Sequence, residues 1–123
     1  MSNLAVVTNT ELEPTELQLS TDWYEVMKDK VGGYVEMVRL NPMVTMWVNE
    51  EGLIHNLPIN PVGTIAYAVA FDCLENPHPI AGTIVFTGGI TAEGEPTGLT
   101  NEGLDWLAMV GMLGMLMSRK RGE

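Results

Sequence analysis

Few residues in this chain are equipped for chemistry, and their spacing excludes most of it. The histidines are His55 and His78, and the one cysteine is Cys73. A zinc site takes three or four Cys, His or carboxylate ligands at short spacing. Here the three groups fall on a predicted strand, in a proline-flanked loop and in the apolar stripe of a predicted helix. They read as surface or loop imidazoles and a core thiol, so no metal is expected. Ser2, Ser20 and Ser118 lie near the start of the chain and at two helix ends, and none occupies the strand-to-helix elbow that exposes a nucleophilic serine. Thr87-Gly88-Gly89 follows a strand, as a phosphate cradle does, but leads into an acidic loop with no base before Arg119. It reads as a turn. Glu50 and Glu51 are adjacent in a predicted turn and should point apart into solvent rather than share acid–base work. Glu36 is more interesting, because its strand face also carries Tyr34, Val38 and Leu40. An acid on an apolar face marks either a site or a sheet edge. Tyr34, Glu36, Trp47 and Glu50, with Trp47 as an exposed aromatic, form the candidate surface site. No catalytic residue and no cofactor is expected, and the chain does not read as an enzyme.

The elements that position these residues belong to one domain. The chain has 123 residues, 46% hydrophobic and 18% charged, a globular composition of single-domain size over 1–123. Sixteen acids against six bases give a net charge of −10. Because Arg119, Lys120 and Arg121 cluster at the end, residues 1–118 carry −12. Such a field repels phosphate backbones and anionic membranes, so no direct nucleic-acid binding is expected. A lone cysteine fits a reducing compartment. The first residues lack a basic region and a long apolar run. The apolar stretch Trp106–Met117 spans twelve residues, short of the roughly twenty that cross a bilayer. A cytoplasmic location follows as the expectation, with membrane contact unexpected.

Residues 4–8 predict a short strand, and 9–19 an acidic connection without period. Ser20 or Thr21 should cap a helix to Lys30, which Gly32-Gly33 end. Trp23, Val26, Met27 and Lys30 form its inner stripe. Strands follow at 34–40 and 45–49. Asn49-Glu50-Glu51-Gly52 has tight-turn chemistry, with 53–57 returning as the second arm of a hairpin. Asn60-Pro61 reads as N-cap and first helical position of an enclosed helix running to Leu74. Residues 80–88 predict a strong strand, Gly88–Gly98 a loop with a hairpin tip at Glu93-Gly94-Glu95, and 102–118 a final helix. The expected fold is α+β: a mixed, mainly antiparallel sheet of four or five strands covered by two or three helices. Helices 61–74 and 102–118 lie on the sheet, and the first helix against an edge or end.

Four segments occur in a recognisable order: Val31-Gly32-Gly33-Tyr34-Val35-Glu36, Trp47-Val48-Asn49-Glu50-Glu51-Gly52, Leu57-Pro58-Ile59-Asn60 and Ile80-Ala81-Gly82-Thr83-Ile84-Val85. Over roughly residues 4–90 the chain resembles a family of small uncharacterised proteins, a domain of unknown function found in bacteriophages of actinobacteria and related mobile elements. The resemblance implies a phage or prophage origin and a non-structural accessory role. It implies no catalytic residues, and the C-terminal helix lies outside it.

Two classes of function are carried forward. The first is an accessory protein that binds and modulates a host protein without catalysis, in host takeover or counter-defence. One version has the acidic surface mimicking DNA, which demands binding that weakens steeply between about 50 and 200 mM salt. The second is a small-ligand pocket, for example sequestering a nucleotide signal through backbone amides near Gly88-Gly89. The final helix adds an expectation of its own. Trp106, Met109, Met112, Leu113, Met115 and Leu116 leave it apolar nearly all round, which calls for burial on more than one side. Ala108, Gly111 and Gly114 form a ridge where another helix can approach, and methionines supply an adaptable surface. The candidate interface is a homodimer through this helix or a groove on a host target. Met112→Glu and Met115→Glu should each leave the chain folded by circular dichroism while changing its solution mass or its partner binding. Unchanged mass and binding would remove the interface, and failure to fold would make this helix a core element.

Overall fold

The computed structural model describes residues 3–9 and 14–122, with side chains to residue 111. The strands are β1 (Leu4–Thr8), β2 (Pro14–Gln18), β3 (Val35–Asn41), β4 (Val44–Asn49) and β5 (Ile84–Thr87), and the helices are α1 (Trp23–Val31), α2 (Pro61–Ala70) and α3 (Asn101–Gly122). All five strands form one antiparallel sheet in the order β2-β1-β5-β4-β3. This is an α+β fold.

Alternation along the strands sorts side chains onto two faces. Ile84 and Phe86 of β5, with Val44, Met46 and Val48 of β4, pack against Ile65 and Ala66 of α2 and Val110 of α3. Val85 and Trp47 point the other way, into a smaller cluster with Ala5, Val7, and Met27 and Val31 of α1. The sheet is therefore covered on both faces. The expectation that α1 lies at an edge is corrected: Met27 and Val31 need apolar cover that an edge would not supply, and the odd-numbered face offers it. Trp47, expected to be exposed, is 5% exposed. It stacks near Trp23 and donates from Nε1 to Thr87 Oγ1 at 2.9 Å.

Four further expectations fail. Residues 14–18 form a strand rather than a connection. As an edge strand β2 buries little beyond Leu17, so it needs no alternating pattern, and its register with β1 (Ala5 opposite Leu17, Val7 opposite Thr15) supplies the pairing. Residues 53–57 form turns, not a strand, because β4 already has β3 on one side and β5 on the other. The helix expected to reach Leu74 stops at Ala70. Asp72 adopts φ 54° and the Cys73 N–H closes the end on Ala68 O at 2.9 Å. Phe71 and Leu74 are left exposed, so this helix is less enclosed than its composition indicates. The strand expected over 80–88 is ordered as a ladder only from Ile84. The hairpin tip at Glu93-Gly94-Glu95 is present, closed by the Thr91 N–H on Glu95 O.

Asn60 caps α2 as its position predicts and does more. It is fully buried. Its Oδ1 accepts from the Gly63 N–H at 3.1 Å, and its Nδ2 donates to Thr8 O at 3.1 Å and Gly82 O at 2.9 Å. The first turn of α2 then rests directly on β5. A Cβ on Gly63 would lie 2.0 Å from Ile84 Cδ1, so any other residue there would force the buried Ile84 side chain to turn away. Asn60→Ala removes the cap, worth about 1 kcal/mol, and strands two buried carbonyls at about 1–3 kcal/mol each. The variant should lose at least about 3 kcal/mol of unfolding free energy in urea. A loss below about 1 kcal/mol, the value of the cap alone, would mean the two carbonyls find other donors.

Candidate functional site

Where β4 ends, the chain makes a compact loop over residues 50–57, and a cleft of about 260 Å³ opens between this loop and residues 78–81. The loop is held from both ends. The Asn49 side chain donates through Nδ2 to Val31 O at 3.1 Å and accepts at Oδ1 from the Glu51 N–H at 2.8 Å. The Glu50 N–H reaches Tyr34 O, and the Leu57 N–H returns to Gly52 O at 3.0 Å. Gly52 is buried, and a Cβ there would meet Ala81 O at 3.0 Å, so the loop sits tightly on the opposite wall. That wall is pinned in turn. Ile59 bridges Ala81, the Asn60 N–H donates to Ile80 O, and the Gly82 N–H donates to Pro58 O. Thr64 Oγ1 accepts from the Ile80 N–H at 3.0 Å.

The lining combines three carboxylates with apolar surface. Glu36 comes from β3, opposite Val48 of β4, while Glu50 and Glu51 come from the loop. Leu53 and Ile54 supply the apolar part, with His78, Pro79, Ile80 and Ala81 facing them. Ile54 is 74% exposed. Its loop is bonded into one shape, so this exposure is a fixed display. His55 Nε2 lies 3.6 Å from Glu51 Oε1 on the exposed side. No lysine or arginine lines the cleft, and the described residues contain no group of three or more His, Cys, Asp or Glu able to hold a metal. Chemically, the cleft favours cationic groups carried beside apolar ones and disfavours phosphates.

Of the four residues expected to form a surface site, Glu36 and Glu50 meet in this cleft. Tyr34 is exposed beside α1, where Lys28 Nζ lies 5.3 Å from its ring centroid and 5.6 Å from that of Tyr24. Trp47 is buried on the opposite face of the sheet. Glu50 and Glu51, expected to diverge, both line the cleft. Sequence reasoning missed Leu53, Ile54 and the wall from His78 to Ala81, because it assigned 53–57 and 80–88 to strands and His78 to a separate proline-flanked loop. Two adjacent aliphatics just after a glycine-closed turn were the available signal. Of the two loop glycines considered for anion binding, Gly88 spends its N–H on Thr97 O at 2.8 Å. On α3, Trp106 packs against the main core while Met109 is exposed. The side chains of Met112, Leu113, Met115 and Leu116 lie outside the described residues. Among the described residues, no helix is long and apolar enough to cross a membrane.

Residues 1–110 match the family model of a domain of unknown function, DUF3846. No curated protein and no solved structure matches the chain. The matched region extends past residue 90 and takes in the first half of α3, so that part of the helix belongs to the family pattern. The loop geometry makes its own prediction. Asn49→Ala should speed amide hydrogen exchange across residues 50–57 and leave α2 and β5 protected, at a cost of about 1–2 kcal/mol for the two lost bonds. Unchanged exchange in the loop would show that Gly52 packing alone holds it.

Proposed function

The chain belongs to the DUF3846 family, and from that premise we propose that it is a phage-encoded accessory protein that binds and modulates a host protein without catalysis of its own. The phage origin rests on the resemblance of the four ordered segments around Gly33, Asn49, Ile59 and Gly82. The binding role is carried by one observation: the rigid display of Leu53 and Ile54 at the mouth of the cleft. Scattered exposed aliphatics are ordinary on protein surfaces. Two neighbouring ones, held outward by a loop whose backbone is bonded at both ends, supply a preorganised contact that costs little ordering entropy on association.

A pocket for a nucleotide signal is less well supported. The cleft volume of about 260 Å³ is under the roughly 300–1,000 Å³ typical of small-ligand pockets, and its charge opposes an anion. Tagged protein and its Ile54→Asp variant, applied to host lysate at moderate salt, separate the two classes. At an exposed position the substitution should change stability by less than about 0.5 kcal/mol. A stoichiometric host protein retained by the natural chain and lost by the variant is the expected result. Absence of any partner, together with thermal stabilisation by a nucleotide, would overturn the proposal.

A further inference from the structure

We infer that the cleft between residues 50–54 and 78–81 receives a lysine- or arginine-bearing segment of a protein partner, seated by an apolar side chain against Leu53 and Ile54. The inference rests on the protein-binding reading above and specifies the chemistry of the partner. Three glutamates, Glu36, Glu50 and Glu51, line one small opening. Among the described residues, Glu51 has His55 at 3.6 Å, a partner that is charged only when protonated. No described lysine or arginine forms an ion pair with Glu36 or Glu50. Lys28, in the last turn of α1, lies over the rings of Tyr24 and Tyr34. The complementary charge therefore has to arrive from outside, and a net charge of −10 steers cations toward the protein over longer range.

Charge alone would not select a peptide, since exposed carboxylates also attract free cations and any basic surface. Selection comes from the apolar wall. Leu53 and Ile54 give an incoming aliphatic side chain a surface to cover, beside carboxylates that hold its basic neighbours. The volume suits one or two side chains, as a short segment would offer, and not an extended domain face. The partner's alkyl-ammonium or guanidinium stems can also lie along apolar surface while their charges reach Glu36 and Glu50.

The test uses the full chain and three labelled short peptides: lysines flanking a pair of leucines, glutamates flanking the same pair, and lysines alone. The lysine–leucine peptide should bind measurably by fluorescence anisotropy, and the other two at least about tenfold more weakly, the scale of losing one anchor. Its amide shifts in the protein's NMR spectrum should concentrate at residues 36, 48–54 and 78–81. Glu50→Lys and Glu36→Lys should each weaken it about tenfold, with the fold intact by the dispersion of the same spectrum. Equal binding of the all-lysine peptide, equal binding by the charge-reversed variants, or shifts centred elsewhere would overturn the inference. So would a concentration-dependent mass that places a second copy of the chain in the cleft. Capture of a host protein by the natural chain without binding of the lysine–leucine peptide would remove this assignment alone. Specific peptide binding with no host partner would instead remove the proposed host role and keep the cleft chemistry.

Discussion

The structure depends on a single buried carboxamide. Asn60 uses both of its donors and its acceptor within the protein: Nδ2 on the last residue of β1 and on Gly82, Oδ1 on the first turn of α2. Its own N–H closes onto Ile80 O. A carboxylate of the same shape has no donor for the two carbonyls, and serine or threonine has only one. The end of a peripheral hairpin, the start of the central helix and the approach to the central strand are thus fastened at one point. A buried polar group is costly unless fully satisfied, and when satisfied it specifies a unique arrangement. Everything that forms the cleft wall from His78 to Ala81 hangs from this point.

The same logic governs the sheet. β5 enters last in the chain yet occupies the centre, between β1 and β4, and all four of its residues are buried. Its two flanks come from separate hairpins, β1–β2 and β3–β4, so neither half has a complete core before β5 is inserted. The two faces then differ in character. The face under α2 and α3 is aliphatic with Phe86 at its centre. The face under α1 carries a polar handle, the Trp47 indole bonded to Thr87. That bond lets an amphipathic aromatic fill the smaller layer without leaving its N–H unpaired.

How legible this was in the sequence varies with what each residue's neighbours had to do. Asn60-Pro61 announced a helix start correctly, because capping is local chemistry. Gly32 ending α1 was local in the same sense. The α+β class and the antiparallel pairing also followed from local periods. The errors sit where an outcome depends on which edges remain free. β2 carries no alternating pattern, since an edge strand needs only a neighbour's backbone. Residues 53–57 follow a glycine-closed turn, which predicts a returning strand, and fail to be one, since both sides of β4 are taken. Glu36 and Glu50 were recognisable as candidates for one surface, whereas Trp47 was misplaced because a tryptophan within the run Val44-Thr45-Met46-Trp47-Val48 does not reveal which face of the sheet it enters. The walls of the cleft were invisible for the same topological reason.

That topological constraint also accounts for the surface the protein presents. After Asn49 the chain must leave the sheet, yet Gly52 is drawn back against Ala81 by close backbone packing. The next residues are then turned outward, and they are leucine and isoleucine. Burying them in the protein's own core would require an open edge beside β4, which β5 and β3 deny. The loop's shape is set mainly by Asn49, Gly52 and main-chain bonds, while Leu53 stays half exposed and Ile54 largely so. Fold stability therefore gives little reason for an aliphatic side chain as exposed as that of Ile54. The proposed partner contact would use this outward face, beside the glutamates that line the cleft.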